Sequence, residues 1–262
     1  MIFALIAYAV VGAISGLLAG LIGISGGLIT IPCLVLIFHM LDFAPVYLMQ
    51  VAIGTSLAAM TFNALAATWS HNRRGTVLWK LVKRMLWGLI LGCIIGAFLG
   101  HIMPTVILQI LFGVFACVVG FYFFMQKPFY EKDHPLPTQG TINAIGFVVA
   151  AISNILGIGG GTMTMPVFLA FRIPMVKAVA TSAATGLIIT ACGALSYLFF
   201  GLGDNFYPHS IGYIYLPAFG VLAVTTFFAA PFGARLTTVI SAQRLKKYFA
   251  IALMAAGILM LF

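Results

Sequence analysis

Long apolar stretches, separated by short polar turns, occupy almost the whole chain. Most are long enough, or nearly so, to cross the ~30 Å hydrocarbon core of a bilayer as helices. Two others, 28–40 and 162–171, are too short to span, and each directly follows a glycine cluster. The pattern predicts an all-α polytopic membrane protein. The eight long segments are 1–22, 46–69, 85–100, 105–125, 141–156, 178–200, 211–234 and 245–262.

The two glycine clusters share one sequence pattern. The first reads Gly20-Leu-Ile-Gly-Ile-Ser-Gly-Gly-Leu-Ile-Thr-Ile-Pro32, and the second reads Asn154-Ile-Leu-Gly-Ile-Gly-Gly-Gly-Thr-Met-Thr-Met-Pro166. A Thr-Ser pair, at 55–56 and again at 181–182, lies on the long segment after each cluster. An uncommon pattern that occurs twice indicates internal duplication, which is typical of transporters. The expected division is a first membrane repeat at 1–126, a cytoplasmic linker at 127–140 and a second membrane repeat at 141–262.

A helix break inside a membrane has a specific physical consequence. Backbone N–H and C=O groups left unpaired in hydrocarbon cost several kcal/mol each, so a break must be buried in protein or line a polar cavity. The short helix that restarts after the break directs free N–H groups and the positive end of its dipole toward that cavity, which favours an anion. The alternative is that the glycines serve close helix packing, as small residues do in membrane bundles.

The distribution of Lys and Arg predicts how the repeats are related. Basic loops of membrane proteins stay in the cytoplasm. This rule gives three crossings after the broken unit in each half, and an odd number inverts the second repeat. We therefore expect two inverted repeats, each a broken or re-entrant helix hairpin plus three transmembrane helices. The alternative is eight simple spans in parallel repeats. The stretches expected inside are 71–84, 127–132, 172–177 and 235–247, and those expected outside are 41–45, 101–104 and 201–209.

Composition excludes several classes of function. The chain is 63% hydrophobic and 6% charged, with a mean hydropathy of +1.18. Its net charge of +9 lies in loops, where it indicates topology and not nucleic-acid binding. The spans carry no His-Glu-x-x-His or Gly-x-Ser-x-Gly motif, and the cysteines are isolated, so we expect no enzyme, metal or cofactor. The four carboxylates, all outside the spans, are Asp42, Glu131, Asp133 and Asp204.

The paired glycine clusters, the Thr-Ser pairs and the third helix with Gly88, Gly92 and Gly96 resemble the sulfite exporter TauE/SafE family of anion permeases. The resemblance covers essentially the whole chain. It implies export of a small sulfur-containing anion, such as sulfite, sulfoacetate or a related organosulfonate, across the cell inner membrane. The alternatives are an anion channel of the same architecture and a transporter of a different small anion. The expected partners are the anion and the lipid bilayer.

The predicted site lies where the two breaks meet, and alternating access would expose it to each side in turn. Thr30 and Thr164 can point to the ligand or back to a carbonyl of their own helix. The Thr-Ser pairs can line the site or make interhelical hydrogen bonds. Asn154 can donate to the anion or cap the interrupted helix. The predicted substrate-binding residues are Gly23, Ser25, Gly26, Gly27, Thr30, Thr55, Ser56, Asn154, Gly157, Gly160, Gly161, Thr162, Thr164, Thr181 and Ser182.

Overall fold

A computed structural model describes residues 2–22, 26–125, 138–203, 207–236 and 242–261 of the chain. These residues form ten α-helices and one antiparallel pair of two-residue strands. The helices are α1 (Ile2–Ile22), α2 (Gly27–Met40), α3 (Leu48–Arg73), α4 (Trp79–Ile102), α5 (Thr105–Met125), α6 (Gln139–Leu156), α7 (Gly161–Ala170), α8 (Met175–Phe200), α9 (Leu216–Leu236) and α10 (Ala242–Leu261). The strands are β1 (Ser210–Ile211) and β2 (Ile214–Tyr215).

The architecture is that of an all-α polytopic membrane protein, as the hydropathy pattern predicts. Among the described residues, six helices are long and apolar enough to cross a membrane: α1, α3, α4, α5, α6 and α8. The short helices that follow the glycine clusters are also present, with 14 residues in α2 and 10 in α7. The other shorter apolar helices are Leu216–Phe232 and Ala250–Leu261.

Two helices of the first repeat include basic residues that the sequence analysis assigns to a loop. The helix α4 begins at Trp79 and not at Met85, because Leu81 and Val82 are buried and extend the apolar face. Long basic side chains tolerate such a position, since their stems lie along the helix while the charged ends reach the interface. The helix α3 continues through Arg73, whose guanidinium lies 3.9 Å from the ring centroid of Trp69.

The start of α9 differs from the prediction. The sequence analysis begins this span at Ile211, whereas the helix begins at Leu216. Residues 210–215 instead form the hairpin of β1 and β2, in which Ile211 pairs with Ile214. Gly212, with φ of 54°, permits this turn, because other residues rarely adopt positive φ. The apolar sequence of the hairpin resembles the first turn of a helix, which explains the error.

Most of the helix packing joins the two halves of the chain. Helix α1 packs on α9, α4 on α6 and α8, α3 on α8 and α9, and α5 on α10. Within the halves, α2 packs on α3 and α7 packs on α8. Exchanging each helix of one half for its counterpart in the other leaves this set of contacts unchanged. The halves therefore interlock, with α3 and α8 in contact at the centre.

The contact between α4 and α6 depends on the small-residue face of α4. A Cβ atom added to Gly92 would lie 2.9 Å from Cβ of Ala150, and one added to Gly96 would lie 2.8 Å from Cα of Ala151. Side chains at these positions would overlap the backbone of α6. Glycine at every fourth residue thus lets the two backbones approach closely, which is how membrane helices gain packing energy without a hydrophobic driving force.

Replacing Gly96 with leucine should separate α4 from α6 and destabilise the protein. Overpacking of a close contact costs about 1–3 kcal/mol, and we expect a loss of at least this size in the free energy of unfolding of the purified protein. Gly220→Leu is the matched control, because an added Cβ there has no neighbour within 4 Å. The control should change stability by less than about 1 kcal/mol. Equal losses would contradict the close packing of α4 on α6.

Candidate functional site

The two glycine breaks touch each other. A Cβ atom added to Gly27, at the start of α2, would lie 2.8 Å from the carbonyl oxygen of Gly157 and 2.9 Å from Cα of Ile158. These residues belong to the break of the other half, so the backbones of the two breaks are in direct contact. The first residues of α2 are buried there, as are residues 157–162 of the second break. The sequence predictions at Gly23 and Ser25 lie outside the described residues.

Positive backbone angles explain part of the second glycine cluster. Gly157 has φ of 66° and ends α6, while Gly159 has φ of 69°. The carbonyl of Ser153 accepts hydrogen bonds from the N–H groups of Gly157 and Ile158. This arrangement satisfies a carbonyl that a broken helix would otherwise leave unpaired. The carbonyl of Gly160 then accepts from the N–H of Thr164 at 2.9 Å and starts α7.

Thr30 and Thr164 make the same bond in the two halves. The Oγ1 atom of Thr30 lies 3.0 Å from the carbonyl oxygen of Gly26, and Oγ1 of Thr164 lies 2.8 Å from that of Gly160. Each hydroxyl therefore donates back to its own helix, which is one of the two roles that the sequence leaves open. The Oγ1 of Thr30 is also 3.0 Å from Oγ of Ser15, a residue that the sequence analysis does not single out.

The two members of each Thr-Ser pair have different surroundings. Oγ1 of Thr55 accepts a hydrogen bond of 3.0 Å from the N–H of Tyr215, and Oγ1 of Thr181 accepts one of 3.1 Å from the N–H of Leu78. Oγ of Ser182 donates to the carbonyl of Val179 at 2.8 Å. Thr55 and Thr181 are fully buried, and the hydrogen bond that each of them accepts joins the two halves of the chain. The threonines therefore make hydrogen bonds between separate elements, which is the alternative to lining the site.

Ser56 lies on the face of α3 that packs against the two breaks. Met60, one turn further along the helix, contacts Gly27, and Ile53, nearly one turn earlier, contacts Gly157. Residues three and four apart share one face of a helix. The Oγ of Ser56 is fully buried and has no hydrogen-bond partner among the described residues. A buried hydroxyl without a partner is uncommon in folded proteins, and its position on this face makes Ser56 a candidate for contact with a ligand.

Asn154 uses its amide donor within α6. Its Nδ2 donates to the carbonyl of Ala150 at 3.0 Å, and its own carbonyl accepts from the hydroxyl of Tyr197 at 3.1 Å. The remaining side-chain atom, Oδ1, lies next to Gly193 and is an acceptor. An acceptor does not attract an anion. The end of α6 is capped by Gly157, so Asn154 contributes to helix packing in this structure.

Two equivalent positions that the sequence analysis does not identify differ between the halves. Met60 fills the space beside Gly27, with its Cε 2.8 Å from an added Cβ. Its counterpart, Gly186, faces the start of α7, and a Cβ added there would lie 3.3 Å from the backbone nitrogen of Gly161. The start of α7 therefore packs on the backbone of Gly186, whereas the start of α2 packs on the side chain of Met60. Both residues are one helical turn after the serine of the Thr-Ser pair, which is the signal that could identify them.

The electrostatics of the helices favour negative charge. None of the ten described helices contains Asp or Glu. The described residues include no group of His, Cys, Asp or Glu that could hold a metal ion. The helix α2 begins at the contact between the breaks, and α7 begins at Gly161, shortly after the residues that form it. Each helix directs the positive end of its dipole toward the breaks.

Two interlocking halves, each with a glycine cluster followed by a short buried helix, are typical of a polytopic membrane protein of the transporter class. The family model described as "Sulfite exporter TauE/SafE" matches residues 8–260. The chain belongs to this family of membrane transporters.

Curated relatives agree with the family assignment. A probable membrane transporter protein of Haemophilus influenzae is 32% identical over 255 residues, which cover 95% of this chain and 94% of the relative. A probable membrane transporter protein of Methanocaldococcus jannaschii is 25% identical over 253 residues, which cover 96% of this chain and 93% of the relative. No solved structure was found to match the chain. The similarity thus extends over the whole transporter and includes both breaks.

The variants Gly157→Ala and Gly75→Ala should separate the cost of backbone strain from the cost of disturbed packing at the second break. The two glycines have φ of 66° and 64°, so alanine meets a similar strain of ~1–2 kcal/mol at both. An added Cβ at Gly157 would lie 2.8 Å from Cδ1 of Ile31, whereas at Gly75 it has no neighbour within 4 Å. We expect Gly157→Ala to lower the free energy of unfolding by about 1–3 kcal/mol more than Gly75→Ala. Thermal unfolding of both variants measures the difference, and equal losses would argue against tight contact between the breaks.

Proposed function

We propose that this protein exports a small sulfur-containing anion, such as sulfite, sulfoacetate or a related organosulfonate, across the cell inner membrane. The observation that carries the proposal is the contact between Gly27 of one break and Gly157 of the other. Because α2 starts at this contact and α7 starts four residues after Gly157, the N-terminal ends of two helices both lie close to the junction of the breaks. Each end is equivalent to about half a positive charge, and both are available to the same anion.

The surroundings support an anion over a cation. The described helices contain no carboxylate that would attract a cation, and Ser56 offers a hydroxyl without a described partner. Backbone N–H and hydroxyl donors bind the oxygens of sulfur oxyanions well in a site shielded from water. Glycine at the breaks allows these oxygens to come close to the backbone.

Within this site, the two helix starts have different neighbours. The side chain of Met60 lies beside Gly27 at the start of α2, whereas Gly186 packs on Gly160 and Gly161 at the start of α7 with its backbone alone. The start of α7 is therefore sensitive to any side chain added at Gly186, one helical turn from Ser182 and close to the backbone that leads to Thr162.

Transport proceeds by alternating access between two inverted repeats. The main contacts between helices, those of α1 with α9, α4 with α6 and α8, α3 with α8 and α9, and α5 with α10, are unchanged when the two halves are exchanged, which is expected for repeats related by a two-fold axis. The Lys and Arg pattern supports an axis that lies in the membrane plane. Rocking of one repeat against the other would open the contact between the breaks to each side in turn. An anion channel of the same architecture is the alternative, and saturation of flux with substrate separates the two.

Gly186→Ala should reduce anion flux without unfolding the protein. The added methyl group would lie 3.3 Å from the backbone nitrogen of Gly161 and 3.9 Å from its Cα, a position that crowds the start of α7 but needs little rearrangement. We expect sulfite efflux from proteoliposomes to fall at least about tenfold, since a well-placed hydrogen bond to a charged group contributes about 1.5–3 kcal/mol. Gly220→Ala, which has no neighbour within 4 Å, should retain wild-type flux.

Ser56→Ala provides a second test of the same site. Removing a buried hydroxyl without a partner should leave the thermal stability unchanged or slightly higher. If the hydroxyl binds the anion, flux falls while stability does not. Wild-type flux in both Gly186→Ala and Ser56→Ala, at equal amounts of reconstituted protein, would refute the site.

Thermal unfolding with added anions should identify the substrate class. A ligand that binds the folded state at 100 times its dissociation constant stabilises it by about 2.7 kcal/mol. We expect stabilisation by one or more of sulfite, thiosulfate and sulfoacetate, with a smaller effect of chloride, and we expect Gly186→Ala to reduce it. Stabilisation by cations or neutral solutes alone would contradict an anion transporter.

A further inference from the structure

Two hydrogen bonds occupy equivalent positions in the two halves and join one half to the other. We call the bond from the N–H of Tyr215 to Oγ1 of Thr55 the outer latch, with a length of 3.0 Å. The bond from the N–H of Leu78 to Oγ1 of Thr181 is the inner latch, with a length of 3.1 Å. The names follow from charge, because the hairpin side carries no Lys or Arg in 201–209, whereas Leu78 lies within the basic stretch 71–84.

Both latches hold the residue directly before a helix. Leu78 precedes α4 and Tyr215 precedes α9. Backbone N–H groups at a helix start have no partner within the helix, and Leu78 has no side-chain cap. The threonine hydroxyls are fully buried, with 0% of each residue exposed. Each latch therefore satisfies a backbone donor at a place that water does not readily reach.

Aromatic side chains surround the outer latch. Gly54, next to Thr55, allows the backbone of Tyr213 to pack on α3, since an added Cβ would lie 3.1 Å from the Tyr213 carbonyl carbon. The Tyr213 hydroxyl is 2.9 Å from Nδ1 of His101. Nearby, Tyr207 stacks on Phe43 with ring centroids 4.2 Å apart. Burial raises the pKa of Tyr207, so its hydroxyl stays protonated and donates to the carbonyl of Ala44.

Apolar side chains of both halves also surround the inner latch. One cluster consists of Val77, Val82, Ala180 and Ala184. Leu78 itself packs against a second and larger cluster, which includes Leu81, Phe168 and Ala178. Both latches are therefore shielded by apolar side chains.

We propose that Thr55 and Thr181 are gate residues, which close the outer and the inner entrance by binding the backbone that precedes α9 and α4. This inference rests on the proposed alternating access. Because each latch joins the two repeats, a movement of one repeat against the other has to break one latch while the other holds. In the present structure both bonds are made, which corresponds to a state closed on both sides.

Hydrogen exchange measured by mass spectrometry on the full-length protein in detergent or nanodiscs tests the latches. Thr55→Val removes the acceptor with little change in shape and should raise exchange about tenfold in the peptide that contains Tyr215, but not in the peptide that contains Leu78. Thr181→Val should have the reverse effect.

Conservative and matched variants serve as controls. Thr55→Ser and Thr181→Ser keep the hydroxyl and should restore slow exchange. Thr190→Val removes another buried hydroxyl of α8, one that donates to the carbonyl of Gly186 in its own helix at 2.9 Å, and should leave both peptides unchanged. The inference is overturned if neither valine variant changes exchange, or if each raises exchange in both peptides equally.

The exchange experiment is independent of the substrate. Local exchange that responds as expected, in a protein that transports none of the anions, would support the latches and refute the proposed function. Anion flux in the wild type together with unchanged exchange in the valine variants would support the proposed function and refute the latches. If both hold, Thr55→Val and Thr181→Val should also alter efflux of sulfite, since each variant favours one open side.

Discussion

The need to satisfy backbone polar groups at two helix breaks governs this structure. In hydrocarbon, every N–H or C=O without a partner costs several kcal/mol, so a broken helix is stable where protein surrounds it. Here the carbonyl of Ser153 accepts two N–H groups of the second break. The hydroxyls of Thr30 and Thr164 donate to the carbonyls at which α2 and α7 begin. The breaks are thereby stabilised in the interior, where each lies against the other.

Close contact between the breaks requires small residues on both sides. Gly27 lies against the backbone of Gly157 and Ile158, and Gly160 lies against Gly186 of α8. The central helices α3 and α8 then fix the arrangement, because each contacts its counterpart as well as the broken unit of its own half. Glycine thus has two roles in this fold. At 157 and 159 it permits positive φ, and at 27 and 160 it permits close approach.

The sequence predicts the helices and breaks well but not the partners of individual side chains. Long apolar stretches and contiguous glycines are local signals, and the membrane makes them strong. The start of α9 is wrong because the hairpin at 210–215 is stabilised by packing on α3, which no local pattern reveals. The bonds of Thr55 and Thr181 depend in the same way on which residue of the other half lies opposite. The difference between Met60 and Gly186 is visible in the sequence, but its meaning depends on the position of the breaks.

Among the buried threonines, two groups respond differently to movement. Thr30, Thr164 and Thr190 bond to a carbonyl of their own helix, and such bonds persist when a helix moves as a rigid body. Thr55 and Thr181 accept N–H groups from the other half, so their bonds depend on the relative position of the halves. Since a bond can bias a conformational change only if it differs between the two states, the proposed gating depends on the second group.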